Sequence, residues 1–290
     1  MKNKVQIHKY KIDFDSSPNA LTPERIIEGA LIKYDGGHGC LQPWPSLGDN
    51  DLTFHLSSII ENNPTDQVLA CLKCCRIDAE ARIKGIDLFD GLNVPKSHFA
   101  VPYLEGREIS TALKDEMKNF SHVKVKANNK INELAVYIEN LPRHLSIRVD
   151  FNSSLEPSQL IEFTTSLSTN CLQRIDFIED PFPYEPDMWK RHSEDSGVNF
   201  ALDRGPKNAN IGFAVRIWKP SVFSSEPVNM PICVTHNMDH ELGKRYATYQ
   251  SSVSKNAVTV HGTGSFDYSK NGTGLGMDEF LESLQWEDLK

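Results

Sequence analysis

The chain has 290 residues, a formal net charge of −8, and 39% hydrophobic against 24% charged residues. That length buries a large core. The acidic balance argues against nucleic acid or an anionic membrane as the main partner, and no apolar run approaches the roughly 20 residues of a membrane span. The opening M-K-N-K-V-Q-I-H-K-Y has no apolar signal region, so a cytoplasmic protein acting on a small molecule is expected.

Residues 5–13 and 25–34 read as strands, and Asp35-Gly36-Gly37 is a turn signal. The stretch 39–49, G-C-L-Q-P-W-P-S-L-G-D, reads as a strand and loop, and 52–62 and 67–84 carry helical patterns. In the second helix Cys71, Cys74 and Cys75 share one face. A metal or redox site is one reading, but small buried core residues are preferred, because free cysteine is commonly buried.

From residue 97 the pattern changes to strands alternating with helices. Strands are expected at 97–104 and 123–126, with helices at 108–119, 130–141, 157–167 and 185–195. In H-V-K-V-K-A (122–127) Lys124 and Lys126 sit at i and i+2 and so share one side. Three further strands end in acid. L-S-I-R-V-D-F-N (145–152) delivers Asp150 and Asn152, R-I-D-F-I-E-D-P-F (174–182) delivers Glu179, and V-N-F-A-L-D (198–203) delivers Asp203. The spacings 179 − 150 = 29 and 203 − 179 = 24 match the roughly 30 residues of one βα unit in a barrel. Only 219 − 203 = 16 positions separate Asp203 from Lys219, and much of that is G-P-K-N-A-N. The 220–231 connection is equally short and Pro-rich, so two outer helices are expected to be stunted or absent. A seventh strand at 231–237 and a helix at 241–252 follow. The segment from 257 and the tail to Lys290 are expected to return to the N-terminal part.

Three carboxylates brought to one barrel face repel one another, and a hard divalent cation such as Mg²⁺ is the natural counter-charge. The order K-x-K, Asp, Glu, Asp, Lys on five consecutive strands resembles the enolase superfamily, and within it most closely the o-succinylbenzoate synthase family of menaquinone biosynthesis. The likeness runs from about Arg25 to about Leu284, and Asp78, Ala81, Arg82 and Gly85 match the family's D-x-x-A-x-x-x-G. It implies an α/β chain: a (β/α)7β-type modified TIM barrel over 96–264, with an α+β capping domain from 1–95 plus the tail from about 265 to 290.

By the same resemblance Asp150, Glu179 and Asp203 are metal ligands. Lys126 is the base on one face of a carboxylate substrate. Lys219 is the cation on the other face, and Lys124 keeps the Lys126 pKa low. Asn152, Thr235 and Asn237, with Trp44 and Leu47 of the cap loop, are the expected substrate contacts. The implied reaction is a Mg²⁺-dependent syn dehydration giving o-succinylbenzoate. An N-acylamino acid racemase or dipeptide epimerase is the alternative on the same residues, and a non-catalytic metal-binding relic is a third reading. The chain departs from the family in two places. Arg204 follows Asp203 where Glu is usual, and the seventh strand leads into T-H-N-M-D-H-E-L-G (235–243) in place of a serine-rich end and E-S-S-L-G. His236 and His240 have zinc-pair spacing, but the strand-to-helix break between them argues against that. The Gly-rich 261–276 segment lacks the order of a phosphate loop and resembles the family's closing segment.

Overall fold

A computed structural model describes residues 4–14, 25–101, 109–264 and 272–290. The N-terminal part holds three strands, β1 (Gln6–Asp13), β2 (Ile26–Tyr34) and β3 (Gly37–Leu41), then helices α1 (Leu52–Ile60) and α2 (Asp66–Lys84). Next come β4 (Lys96–Ser97), β5 (Phe99–Val101), α3 (Thr111–Met117), β6 (His122–Lys126), α4 (Ile131–Glu139), β7 (Ser146–Asp150), α5 (Pro157–Ser166), α6 (Thr169–Leu172) and β8 (Ile175–Glu179). They are followed by α7 (Pro186–Ser196), β9 (Phe200–Leu202), β10 (Val215–Trp218), β11 (Ile232–Val234), α8 (Glu241–Val253) and β12 (Val260–His261). The chain closes with α9 (Asp278–Ser283) and β13 (Glu287–Asp288). No helix among the described residues is long and apolar enough to cross a membrane.

The cap is an antiparallel sheet in the order β13-β1-β2-β3. Its tight β2–β3 turn uses Asp35 and Gly36, both at positive φ. Helix α2 lies directly on β3. A Cβ at Gly37 would stand 2.0 Å from the Cys75 carbonyl oxygen, and one at Gly39 would stand 2.7 Å from that of Cys71. Only glycine permits this approach. The facing residues Cys71, Cys74 and Cys75 are buried and unpaired, serving as small core side chains. Helix α2 starts at a Thr65 side-chain cap and ends at left-handed Gly85.

The barrel runs as a parallel sheet in the order β11-β10-β9-β8-β7-β6-β5. Closure comes from β12, which pairs with β4, while bridges Ile232↔Ala257 and Thr235↔Gly262 tie the same segment to β11. Residues 257–262 are therefore the eighth barrel strand and do not leave for the cap as expected. The first barrel strand is broken at His98 into β4 and β5. The remainder of the expected 97–104 strand lies outside the described residues, as do 265–271 of the glycine-rich segment. As the short spacings require, no helix occupies 203–214 or 219–231. The short α6 was not foreseen. Strand alternation sorts side chains by face. Val123, Val125, Ile147 and Val149 turn outward to a core shared with Leu134, Ile138, Leu160 and Phe163 of the outer helices. Lys124, Lys126, Arg148 and Asp150 alternate with them and turn inward.

Candidate active site

Strand register assembles the site. Lys126 pairs with Asp150, Asp150 with Glu179, and Glu179 with Ala201, across four neighbouring strands. Lys126, Asp150 and Glu179 thus stand side by side at the C-terminal rim of the barrel, where βα loops build active sites. Asp203 lies one residue past β9 and Lys219 one residue past β10. One row deeper, Lys124, Arg148 and Phe177 are register partners, with the Arg148 guanidinium 4.7 Å from the Phe177 ring centre. A register irregularity between Ile147 and Arg148 lets β8 skip Asp176 and brings Phe177 and Glu179 to the interior.

Lys124 reaches up from the deeper row. Its Nζ lies 2.8 Å from Glu179 Oε1 and 3.0 Å from Asp150 Oδ2. Burial disfavours its ammonium, but the two carboxylates outweigh burial and raise its pKa. Lys219 donates to Asp203 Oδ2. Burial pushes the Asp203 carboxyl up, and the adjoining Lys219 ammonium more than offsets this, leaving it below the usual range. Lys126 differs from both. Burial first, then the charges of Lys124 and Lys219, lower it to about 8 against the opposing pull of Asp150. Its Nζ donates to the Met238 thioether at 3.3 Å.

The acids carry the signs of crowding. Burial and the neighbouring Asp150 push Glu179 up to about 7, although Lys124 opposes this. Glu179 Oε2 is buried with no hydrogen-bond partner. Buried hard oxygens on neighbouring strand ends, one of them orphaned, suit a hard divalent cation. Among the described residues no three His, Cys, Asp or Glu side chains surround one point; the lysine ammoniums hold the acids instead.

Asp180 has a part that the sequence alone does not announce. It stands at φ 41°, so its side chain turns away from that of Glu179 and accepts the backbone N–H groups of Asp203 and Arg204, both at 3.0 Å. It thereby fixes where the third acid sits. The only available signal was the second acid of E-D-P.

The expected substrate contacts divide. Asn152 lies beside Asp150, donating its N–H to Asp150 Oδ1 at 3.1 Å. Thr235 is buried with its Oγ1 unpartnered. Trp44 and Asn237 instead engage each other. The indole Nε1–H of Trp44 donates to the Asn237 carbonyl at 2.8 Å, and Asn237 Nδ2 donates to the Gln42 carbonyl at 3.1 Å. The Leu47 carbonyl accepts from Arg204 Nη1 at 2.9 Å, so the residue in the usual Glu position reaches the cap loop. His236 and His240 each accept a backbone N–H at Nδ1, from Met238 and Leu242, and burial lowers them to about 3 and about 4. Both are therefore neutral and locally engaged, not a zinc pair.

Comparison with known proteins follows the same lines. Residues 5–81 match the family described as O-succinylbenzoate synthase, N-terminal domain. Over 328 aligned positions the chain is 26% identical to o-succinylbenzoate synthase of Bdellovibrio bacteriovorus, with 99% of each chain covered. Among solved structures it resembles a muconate lactonizing enzyme from Mycobacterium smegmatis complexed with muconolactone, with TM-score 0.77, 12% identity, and 98% of this chain and 100% of the other covered. It also resembles a dipeptide epimerase from Enterococcus faecalis complexed with Mg and L-Leu-L-Tyr, with TM-score 0.75, 14% identity, and 95% and 99% covered. The fold is the one these solved structures share, and the resemblance to o-succinylbenzoate synthases is borne out.

Proposed function

We propose that this enzyme of the enolase-superfamily fold is a Mg²⁺-dependent carbon–oxygen lyase that converts 2-succinyl-6-hydroxy-2,4-cyclohexadiene-1-carboxylate to o-succinylbenzoate, a step of menaquinone biosynthesis. The observation that carries the reading is the rim row Lys126–Asp150–Glu179, with Lys219 and Asp203 beyond the next two strands. The full-length likeness to a curated synthase supports the choice of reaction.

Asp150, Glu179 and Asp203 would hold the divalent ion. When bound, the ion would supply charge stabilisation for the substrate carboxylate as its α-proton leaves. Lys126 takes that proton. Its lowered pKa provides the neutral amine that a base requires. Lys219, fixed by Asp203, is the cation facing the opposite side of the ring. The proton on Lys126 then passes to the departing hydroxyl, which leaves as water and gives the aromatic product. Asn152 and Thr235 line the substrate's surroundings. Trp44, Leu47 and Asn237 would act on substrate through the closed cap loop, since their bonds join cap to barrel.

We assign residues 1–95 and the tail from about 265 to the cap, and 96–264 to the barrel. Six buried, unpaired cysteines suit a reducing cytoplasm. The second reading, an N-acylamino acid racemase or dipeptide epimerase, draws support from the two lysines, which could serve both faces of a substrate. Incubating purified protein with each substrate, with Mg²⁺ and with chelator, separates the two readings. Mg²⁺-dependent o-succinylbenzoate formation supports the first, and racemisation alone supports the second.

A further inference from the structure

Met238 is placed with unusual care for a loop methionine. It lies between β11 and α8 at φ 51°, a left-handed conformation that non-glycine residues rarely adopt. Two hydrogen bonds hold it there. Its N–H donates to His236 Nδ1 at 2.8 Å, and its carbonyl accepts from Gln42 Nε2 at 3.1 Å. Gln42 is itself buried, and its Oε1 accepts from the Tyr10 hydroxyl at 2.9 Å. Tyr10 and Gln42 belong to the N-terminal part, whereas Met238 belongs to the barrel rim. The far end of the chain of contacts is the Met238 Sδ, 3.3 Å from Lys126 Nζ.

The choice of sulfur has a chemical consequence. Lys124 and Lys219 are each hydrogen-bonded to a carboxylate. A thioether is a weak, neutral acceptor. It can aim an amine without adding a negative charge that would favour the ammonium, and its flexible side chain can move aside for substrate. Resting on the reading of Lys126 as the base, we infer that Met238 is a positioning residue for Lys126, and that Gln42 makes this positioning depend on cap docking through the series Tyr10–Gln42–Met238–Lys126. The cap thereby acts on the base directly, in addition to covering the mouth.

Two substitutions test this in the full-length protein with Mg²⁺. Met238→Leu keeps volume and removes the acceptor. Gln42→Met keeps approximate volume and removes the donor to the Met238 carbonyl. Both are expected to lower kcat by ~10-fold or more, the scale of a modest misplacement, at nearly unchanged KM; the melting temperature should hold in Met238→Leu and fall in Gln42→Met, which leaves the Met238 carbonyl without its buried donor. Met238→Gln, whose Oε1 can accept from Nζ, should restore part of kcat. A substrate-independent arm follows acetylation of each lysine by a pulse of acetic anhydride and peptide mass spectrometry. Lys126 labelling should change in the same direction in Met238→Leu and Gln42→Met, with Lys219 labelling unaffected. Unchanged Lys126 labelling in either variant, or an unchanged kcat in Met238→Leu, would overturn the inference. If the wild type forms no product, the synthase reading fails, and the labelling comparison still decides the coupling.

Discussion

Lys124 Nζ stands between two acids from neighbouring strands, 2.8 Å from Glu179 Oε1 and 3.0 Å from Asp150 Oδ2. One ammonium thus neutralises a pair of carboxylates that strand register forces together. The pair is nearly buried, with 12% of the Lys124 side chain and 3% of that of Glu179 exposed. Removing one partner would leave uncompensated buried charge.

Lys124→Ala is therefore expected to destabilise the metal-free protein by ~3–5 kcal/mol, the range for breaking a buried pair from one side. Mg²⁺ should recover much of that loss, since it binds the native acids and not the unfolded chain. Thermal melts with and without Mg²⁺ would show a larger metal-dependent rise in the variant than in the wild type. An equal rise would count against these acids as the metal's ligands.

Lys126→Ala should lose at least ~10²-fold in kcat, the low end for an acid–base group. The pH dependence has a definite sign. A base must be neutral, and burial with the nearby lysines brings Lys126 to about 8. Activity in metal-saturated enzyme should rise with pH through that region and level off above it. A rate–pH profile that is flat between neutral and alkaline pH would contradict the assignment.

Asp78 ties helix α2 to the chain's tail. Fully buried, it accepts from Arg82 Nε at 2.6 Å, the His38 N–H at 2.8 Å and the Leu275 N–H at 2.7 Å. Burial pushes its carboxyl up, but the hydrogen bond with the His38 ring at 3.2 Å and the bond and charge of Arg82 leave it below the ordinary value. A folded pKa below the unfolded one means the stabilisation is present above the unfolded pKa, ~3.9. It is lost as pH falls through the folded value. Asp78→Asn should cost ~3 kcal/mol or more near neutral pH, with the difference shrinking in acid. Urea melts at neutral pH and at pH below ~4 measure both, and a gap independent of pH would refute the linkage.

Trp44→Phe removes the indole donor to the Asn237 carbonyl and should cost ~0.5–1.5 kcal/mol of stability. If the cap loop closes over substrate, KM should rise more than kcat falls. Steady-state kinetics with an unchanged KM would confine Trp44 to a structural role.

Much of the candidate site's placement was legible because strand-end acids sit at a repeating βα distance and alternation fixes which lysines share a side. The missing helices were legible from two connections too short and Pro-rich to hold them. The eighth strand was not, since only Val260 and His261 are in ladder geometry and glycine-rich sequence follows. Trp44 and Asn237 could be placed at the mouth, but their bond to each other depends on how the N-terminal part docks on the barrel. Gln42 and Met238 gave no signal at all, because nothing local to M-D-H announces a left-handed methionine held from 196 positions away.

Conversion of 2-succinyl-6-hydroxy-2,4-cyclohexadiene-1-carboxylate by the purified chain, followed as o-succinylbenzoate formed with Mg²⁺ and after chelation, is the most direct measurement. Product should accumulate with Mg²⁺, cease on chelation, and form at least ~10²-fold more slowly in Lys126→Ala. Turnover near the wild-type rate in Lys126→Ala, turnover in chelator, or a wild type that forms no product but racemises N-acylamino acids would contradict the proposed reaction.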